Sequence, residues 1–242
     1  MIIYPAIDLK DGLAVRLRQG RMDQVTVYST DPLQVAKEFK NRGSKYLHLV
    51  DLNGAFTGQP VNDEIIRQIV KKVDLKIQVG GGIRTLERIE QLLSLGVARV
   101  ILGTVAVRDP ELVKEAVQKY GEQIIVGIDA QDGKVAVQGW AKSTSLEAEE
   151  LGRTMKKVGV TRIVFTDIAR DGMLKGPNIE STVKMAQTTG LKVIASGGVS
   201  SLEDLVNLKK EADQGVGIEG VIIGKALYTG EFTLEEALEI IN

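Results

Sequence analysis

Two apolar runs in this chain end on an aspartate, and they stand half a chain length apart. Ile2–Ile7 closes on Asp8 and meets the turn signal Lys10-Asp11-Gly12, while Ile124–Ile128 closes on Asp129 and meets Gln131-Asp132-Gly133. The two aspartates are separated by 121 residues in a chain of 242. Nearly the same offset recurs elsewhere. Gln78-Val79-Gly80-Gly81-Gly82-Ile83-Arg84-Thr85-Leu86-Glu87 matches Ile194-Ala195-Ser196-Gly197-Gly198-Val199-Ser200-Ser201-Leu202-Glu203, with Gly81 and Gly197 116 apart. Val100-Ile101-Leu102-Gly103-Thr104 matches Val221-Ile222-Ile223-Gly224-Lys225 at 121, and Val50-Asp51 aligns with Thr166-Asp167 at 116. Four strand ends matched in one order read as two copies of a half-fold, about 1–121 and 122–242, rather than as a solenoid.

The alternation of segments indicates what the two halves close into. Short apolar runs read as strands at Ile2–Asp8, Tyr46–Asp51, Leu75–Val79, Arg99–Leu102, Gln123–Asp129, Arg162–Thr166, Lys192–Ala195 and Gly220–Ile223. Amphipathic segments between and after them read as helices, and Asp31-Pro32 and Asp109-Pro110 supply cap-plus-proline starts. Continuous apolar strands imply a sheet buried on both faces. Eight strand–helix units without a linker favour a closed (β/α)8 barrel of the TIM type, one α/β domain, over an open doubly wound sheet. The polar stretch Lys10–Thr30, with Arg16, Arg18 and Arg21, is too long for a minimal connection. It is expected to be a mobile active-site loop with room for a small hairpin, and Lys134–Gln138 a short hairpin arm.

Composition removes several classes of function. A hydrophobic fraction of 43% supports a sizeable core, and a net charge of −1 gives no basic surplus for nucleic acid. The absence of cysteine excludes disulfides and thiolate metal sites and suits a reducing compartment. The single histidine, His48, cannot build a multi-histidine metal site. The first apolar run is broken by Pro5 and Asp8 and has no basic stretch before it, so neither a signal peptide nor a membrane span is expected. The expected protein is cytoplasmic and monomeric, with no cofactor and a small-molecule partner.

In such a barrel the strand C-termini and the loops after them carry the chemistry. Asp8 and Asp129 are therefore expected on opposite sides of one mouth. Paired carboxylates suit acid–base work when their environments keep one ionised and the other protonated. Gly81-Gly82 and Gly197-Gly198, with Gly103-Thr104 and Gly224-Lys225, end strands three, seven, four and eight. Glycine allows close backbone approach to a phosphate, and free N–H groups at a helix start bind the anion. Two such sites in register suggest an elongated substrate with a phosphate at each end. Arg84 follows the first glycine turn and is a further phosphate candidate. Thr166 and Asp171, in the segment closing strand six, are candidate substrate contacts. Trp140, the only tryptophan, is suited either to stacking on a planar heterocycle or to packing on a neighbouring loop. Asp51 reads as a loop-holding residue and His48, in mid-strand, as a hydrogen-bonded interior group. No Gly-x-Gly-x-x-Gly fingerprint follows the first strand, so no nicotinamide cofactor is expected.

Taken together, Pro5-Ala6-Ile7-Asp8, Val15-Arg16-Leu17, His48-Leu49-Val50-Asp51-Leu52, Gln78 to Arg84, Val137-Gln138-Gly139-Trp140, Thr166 to Gly172 and Ser196-Gly197-Gly198-Val199 resemble the isomerase family of histidine biosynthesis. Its members act on phosphoribosylformimino-5-aminoimidazole carboxamide ribotide. The resemblance covers essentially the whole chain. It implies a metal-free barrel performing an Amadori rearrangement of an aminoaldose to an aminoketose on a bisphosphate ribotide. It also implies that Asp129 is the general acid that opens the furanose ring, with a raised pKa in the loaded site, and that Asp8 is the general base at C2. The related cyclase subunit of imidazole glycerol phosphate synthase is the alternative. It is disfavoured because Gly12-Leu13-Ala14-Val15-Arg16-Leu17 stands where a Gly-Arg-Val-Val-Lys-Gly type run is expected, and by Gly139-Trp140. A dual-substrate isomerase also acting on phosphoribosyl anthranilate uses the same acid–base pair and stays open. A non-catalytic phosphosugar-binding barrel is the weakest reading, since it does not require the two acids.

Overall fold

Ile2–Lys10 (β1) is hydrogen-bonded on one side to Ile218–Ile223 (β8) and on the other to Tyr46–Asp51 (β2), parallel to both. The series continues through Lys76–Gly80 (β3), Arg99–Leu102 (β4), Ile124–Gln131 (β5), Arg162–Asp167 (β6) and Lys192–Ser196 (β7). β5 pairs with β6 and β7 with β8, so the eight parallel strands form a closed ring. This is the closed (β/α)8 barrel, seen here in a computed structural model that describes residues 1–18 and 21–241, with the side chains at 18 and 21–23 left aside. The expectations for the Arg18 and Arg21 side chains therefore lie outside what is described.

Helices Pro32–Asn41 (α1), Asp63–Lys72 (α2), Leu86–Ser94 (α3), Pro110–Tyr120 (α4), Ala148–Lys157 (α5), Ile179–Thr189 (α6), Leu202–Asp213 (α7) and Leu234–Ile241 (α8) alternate with the strands. Their starts follow local chemistry. Asp31 accepts from the Gln34 N–H and Asp109 from the Leu112 N–H, each just before a proline at the first helical position. Ser201 and Asp204 form a reciprocal capping box at α7. Three short helices lie on strand ends where the sequence shows only turns: Leu52–Thr57, Thr104–Arg108 and Lys225–Thr229. None of the described helices is long and apolar enough to cross a membrane.

Strand pleating divides the apolar residues into two cores. Tyr4, Ala6, Ile101, Ile125, Val164, Ile194 and Ile222 form one cluster inside the barrel. Their neighbours Ile3, Ile7, Val100, Val126, Ile163, Phe165, Val193 and Val221 belong to the larger cluster under the helices. Successive residues of a strand point to opposite faces. Asp8 therefore follows Tyr4 and Ala6 on the inner face, and Asp129 follows Ile125 and Gly127.

The 10–30 stretch is more ordered in outline than a loop. Asp11 (φ 50°) and Gly12 (φ 79°) make a two-residue turn, and Leu13–Arg18 folds back antiparallel on β1 with Val15 opposite Asp8. Arg21–Ser29 pairs with it as a second arm. Asp132 (φ 50°) and Gly133 (φ 78°) repeat the turn after β5, leading into Lys134–Val137 and Lys142–Glu147. Asp-Gly is the signal for this turn type because both central residues need positive φ.

The opposite end of the barrel is closed by polar side chains. Arg162, only 3% exposed, is held by both oxygens of Glu219, with Nη2 to Oε1 at 2.7 Å. Arg99 lies 4.0 Å from the same carboxylate and donates to the Tyr4 hydroxyl at 2.9 Å. Arg162 Nη1 has no partner, so Glu219 is its chief compensation. Glu219→Gln is expected to lower stability by about 3–5 kcal/mol, because one charge of a buried pair is left uncompensated. The check is the urea midpoint; an unchanged midpoint would show that this pair does not hold the barrel floor.

Candidate active site

At the C-terminal end of the strands the inner face opens into a cavity of about 240 Å³. Asp8, Asp129, Gly81, Gly82, Arg84, Gly103, Thr104, Trp140, Thr166, Asp171, Gly197, Gly198, Gly224 and Lys225 all line it. Arg16, His48, Phe56 and Ser196 line it too, without having been singled out as site residues by sequence.

The two strand-end aspartates are buried alike but partnered differently. Asp8 Oδ2 accepts from Arg16 Nη1 at 2.8 Å, and the pair is largely shielded, 14% and 16% exposed. Burial pushes the Asp8 carboxyl up and the Arg16 guanidinium pulls it back, with burial winning. Asp129 Oδ2 accepts from the Trp140 indole N–H at 2.8 Å. Burial raises the Asp129 carboxyl as well, opposed only by the Trp140 and Thr166 hydrogen bonds. A guanidinium favours the ionised form far more than neutral donors do, since it stabilises the charge itself. Arg16 was one of three arginines in an unassigned loop. The Asp11-Gly12 turn returns the 13–18 arm to β1, which brings the Arg16 guanidinium within reach of Asp8.

A third carboxyl faces the same space. Asp171 is pushed up to about 6, first by burial and further by the charges of Asp8 and Asp129, against the pull of Arg16. His48 is buried, and its Nδ1 lies 2.9 Å from Gln78 Nε2. The amide donates, so Nδ1 accepts and the ring proton sits on Nε2. Burial and the nearby Arg16 charge bring the His48 pKa down to about 3, which keeps the ring neutral. It is a hydrogen-bonded interior group as expected, but one that also reaches the cavity.

The glycines divide into two kinds. A Cβ on Gly82 (φ 70°) would fall 2.1 Å from the Gly54 carbonyl oxygen, and one on Gly198 (φ 90°) 2.3 Å from that of Gly176. These positions admit no side chain because another loop's backbone passes there. Gly103 has negative φ and open space where its Cβ would be. Gly103 and Gly224 precede the short helices at 104–108 and 225–229, neither of which has a side-chain cap. First-turn N–H groups are left there for a ligand or water.

The remaining polar candidates brace the mouth. Thr104 Oγ1 accepts from the Gln138 N–H at 2.9 Å, and Lys225 Nζ donates to the Gly172 carbonyl at 3.0 Å. Exposed Arg84 bonds the Ala55 carbonyl at 3.3 Å across the rim. The Gly139-Trp140 turn carries positive φ, and its Gly139 lies against the Phe56 ring, while Trp140 itself bonds Asp129.

Sequence reading missed a matched pair of asparagines. Asn62 Nδ2 donates to Asp51 at 2.6 Å, and Asn178 Nδ2 to Asp167 at 2.7 Å, each eleven residues beyond its strand-end aspartate. Asn62 also accepts from the Gly12 N–H, tying the first hairpin turn to the loop after β2. The shared spacing of eleven at an offset of 116 was the available signal.

The chain matches the family model described as histidine biosynthesis protein over residues 2–233. It is 62% identical over 242 residues to a protein of Desulfitobacterium hafniense, covering 100% of this chain and 98% of that one. It is 57% identical over 240 residues to one of Desulforamulus reducens (99% and 97%) and 54% identical over 240 residues to one of Moorella thermoacetica (99% and 98%). All three relatives are named 1-(5-phosphoribosyl)-5-((5-phosphoribosylamino)methylideneamino)imidazole-4-carboxamide isomerase.

Asp171 provides a test of the site's electrostatics. Its folded pKa of about 6 stands above the ordinary 3.8, so the protonated form is the one folding favours. That contribution is complete below about pH 4 and is lost as pH rises through 6. Asp171→Asn is expected to match the native chain near pH 4 and exceed it at pH 7 by on the order of 2 kcal/mol. Urea melts at the two pH values read the difference. An equal gain at both would assign the effect to packing instead.

Proposed function

The chain belongs to the histidine biosynthesis protein family, and from that premise we propose that it is the isomerase its relatives are named for. It converts the aminoaldose 1-(5-phosphoribosyl)-5-((5-phosphoribosylamino)methylideneamino)imidazole-4-carboxamide to its aminoketose isomer. The observation that carries the mechanism is the unlike partnering of Asp8 and Asp129 on one cavity, a guanidinium on the first and only neutral donors on the second.

Asp129, buried and bonded among the described residues only by neutral donors, is suited to hold a proton. It delivers that proton to the furanose ring oxygen as the C1–O bond breaks, leaving a C1–N Schiff base. Asp8, whose charged form Arg16 favours against burial, removes the proton from C2, and the electron pair forms the C1–C2 double bond of an enolamine. Return of a proton to C1 and loss of the C2 hydroxyl proton give the ketose, so atoms balance and no oxidant is needed. Positioned proton transfers of this kind are worth about a hundredfold to ten-thousandfold each. Neutral His48, with its Nε2 proton, is a fixed donor for substrate oxygen. Thr166 and Asp171 are read as further substrate contacts, and Trp140 as the residue that stacks on the planar heterocycle while steering Asp129.

Two phosphate cradles serve the two ends of the ribotide. One joins Gly81, Gly82, Gly103 and Thr104, with Arg84 at its rim; the other joins Gly197, Gly198, Gly224 and Lys225. First-turn N–H groups at Thr104 and Lys225, where no side chain caps the helix, are read as the anion donors. The organisation proposed with this reading is one barrel domain of two repeated halves, about 1–121 and 122–242, acting as a cytoplasmic monomer without a cofactor.

The test is spectrophotometric turnover of the ribotide by the purified chain without any glutaminase, with phosphoribosyl anthranilate run in parallel. Asp8→Asn and Asp129→Asn should each lose at least about a hundredfold in kcat while keeping the native circular dichroism spectrum. Near-native turnover by Asp8→Asn would defeat the assignment.

A further inference from the structure

The two halves match in sequence at Gly103 and Gly224, yet these glycines meet different surroundings. A Cβ at Gly103 would find nothing within 4 Å, whereas one at Gly224 would fall 2.4 Å from Arg16 Nη2 and 2.5 Å from Cζ. Gly224 has φ −107°, a value any residue adopts, so backbone strain is not what excludes a side chain there. What does is the Arg16 guanidinium, which lies against the Gly224 turn. The same guanidinium stands over the ring of Tyr228, with Cζ 5.5 Å from its centroid. Arg16 Nη2 and the Tyr228 hydroxyl both donate to the Ala6 carbonyl, each at 2.9 Å. Tyr28, from the second hairpin arm, packs on Tyr228 at 4.8 Å between ring centroids. Arg16 is thus clamped on three sides before it reaches Asp8.

We propose that Tyr228 and Gly224 form a seat that fixes the Arg16 guanidinium on Asp8, making Arg16 and Tyr228 the positioning residues that favour the charged form of the base of the isomerisation. The proposal rests on the reading of Asp8 as base. It explains why two aspartates at equivalent places in the repeat carry unlike partners: only the second half's last turn, at Gly224 and Tyr228, has an arginine seated on it. Among the described residues Arg16 is the only hydrogen-bond donor to the Asp8 carboxylate. The other charged or titratable groups nearby work against an ionised Asp8 or are neutral. Asp171, across the cavity, repels it. Tyr228 is held neutral, its hydroxyl pKa raised by burial. His48, from β2, is neutral as well. Lys225 lines the cavity but spends its ammonium on the Gly172 carbonyl. Removing Arg16 leaves Asp8 without a compensating cation among the described residues, and loosening its seat weakens that compensation.

The experiment follows the Asp8 carboxyl carbon by 13C NMR, assigned by its loss in Asp8→Asn, beside the pH profile of kcat/KM. Arg16→Met should raise the Asp8 titration by about one to three pH units. The acid limb of the profile should move up with it, a tenfold loss per unit on the acid side. Arg16→Lys should return part of the shift, because the charge is restored without the planar fork. Tyr228→Leu should shift both readouts in the same direction by less, while Tyr228→Phe, which keeps the ring, should fall between Tyr228→Leu and the native chain. If Arg16→Met does not fold, Arg16→Lys and Tyr228→Leu still decide. A fall in kcat/KM with the Asp8 titration and the acid limb unmoved would overturn the proposal and leave Arg16 as a substrate contact. Full turnover by Asp8→Asn would instead remove the reading beneath it, an outcome separate from the Arg16 result.

Discussion

The closure of eight parallel strands into a ring is the constraint on which everything else in this chain depends. Once β5 is bonded to β6 and β1 to β8, each strand has one face toward the barrel axis and one toward the helices. The period of two then leaves no freedom in where a side chain goes. Tyr4, Ala6 and Asp8 share the inner face of β1; Ile125, Gly127 and Asp129 share that of β5. A shift of either strand by one residue would drive its aspartate into the apolar layer under the helices. The apolar register of Ile3, Ile7, Val126 and Ile128 is thus what holds the acids in the mouth.

That placement has an electrostatic cost, and the structure shows how it is distributed. Three carboxyls, Asp8, Asp129 and Asp171, face one shielded space, and burial raises all three. Among the described residues the Arg16 guanidinium bonds only one of them, Asp8. The asymmetry turns three similar groups into different ones: an ion-paired carboxylate, a carboxyl held by neutral donors, and a carboxyl that titrates near 6. Like-charge crowding in low dielectric is unfavourable for folding, and it is the condition under which acid and base roles separate at one pH. At the opposite end, Arg162 and Arg99 share the Glu219 carboxylate in an ionic cluster of opposite signs.

Much of the fold was legible because it rests on local rules. Asp31-Pro32 and Asp109-Pro110 cap helices through their own neighbours, and Asp11-Gly12 and Asp132-Gly133 turn hairpins through their own φ values. The strand at 46–51 and the helix start at Pro110 match the sequence reading to the residue. The three short helices at 52–57, 104–108 and 225–229 were not, since five or six residues carry too little periodicity to register. The Asn62–Asp51 and Asn178–Asp167 bonds were hidden because an asparagine before a helix looks like a cap until its other partner is known. In the case of Gly82 and Gly198, sequence suggested approach to a phosphate, whereas the immediate reason for glycine is the passing backbone of Gly54 and Gly176.

By itself the sequence determined that there are two matched halves, eight strand–helix units and one acid at the same place in each half. It did so because periodicity, capping and repetition are properties of neighbours along the chain. It left Asp8 and Asp129 interchangeable, since a repeat treats equivalent positions equally. Only the tertiary structure decided between their environments. The Asp11-Gly12 turn carries Arg16 back to Asp8, and a seat made more than two hundred residues away, at Gly224 and Tyr228, holds it there. Asp129 received an indole N–H instead. Coulomb energy depends on distance through space, and those distances exist only once the ring has closed.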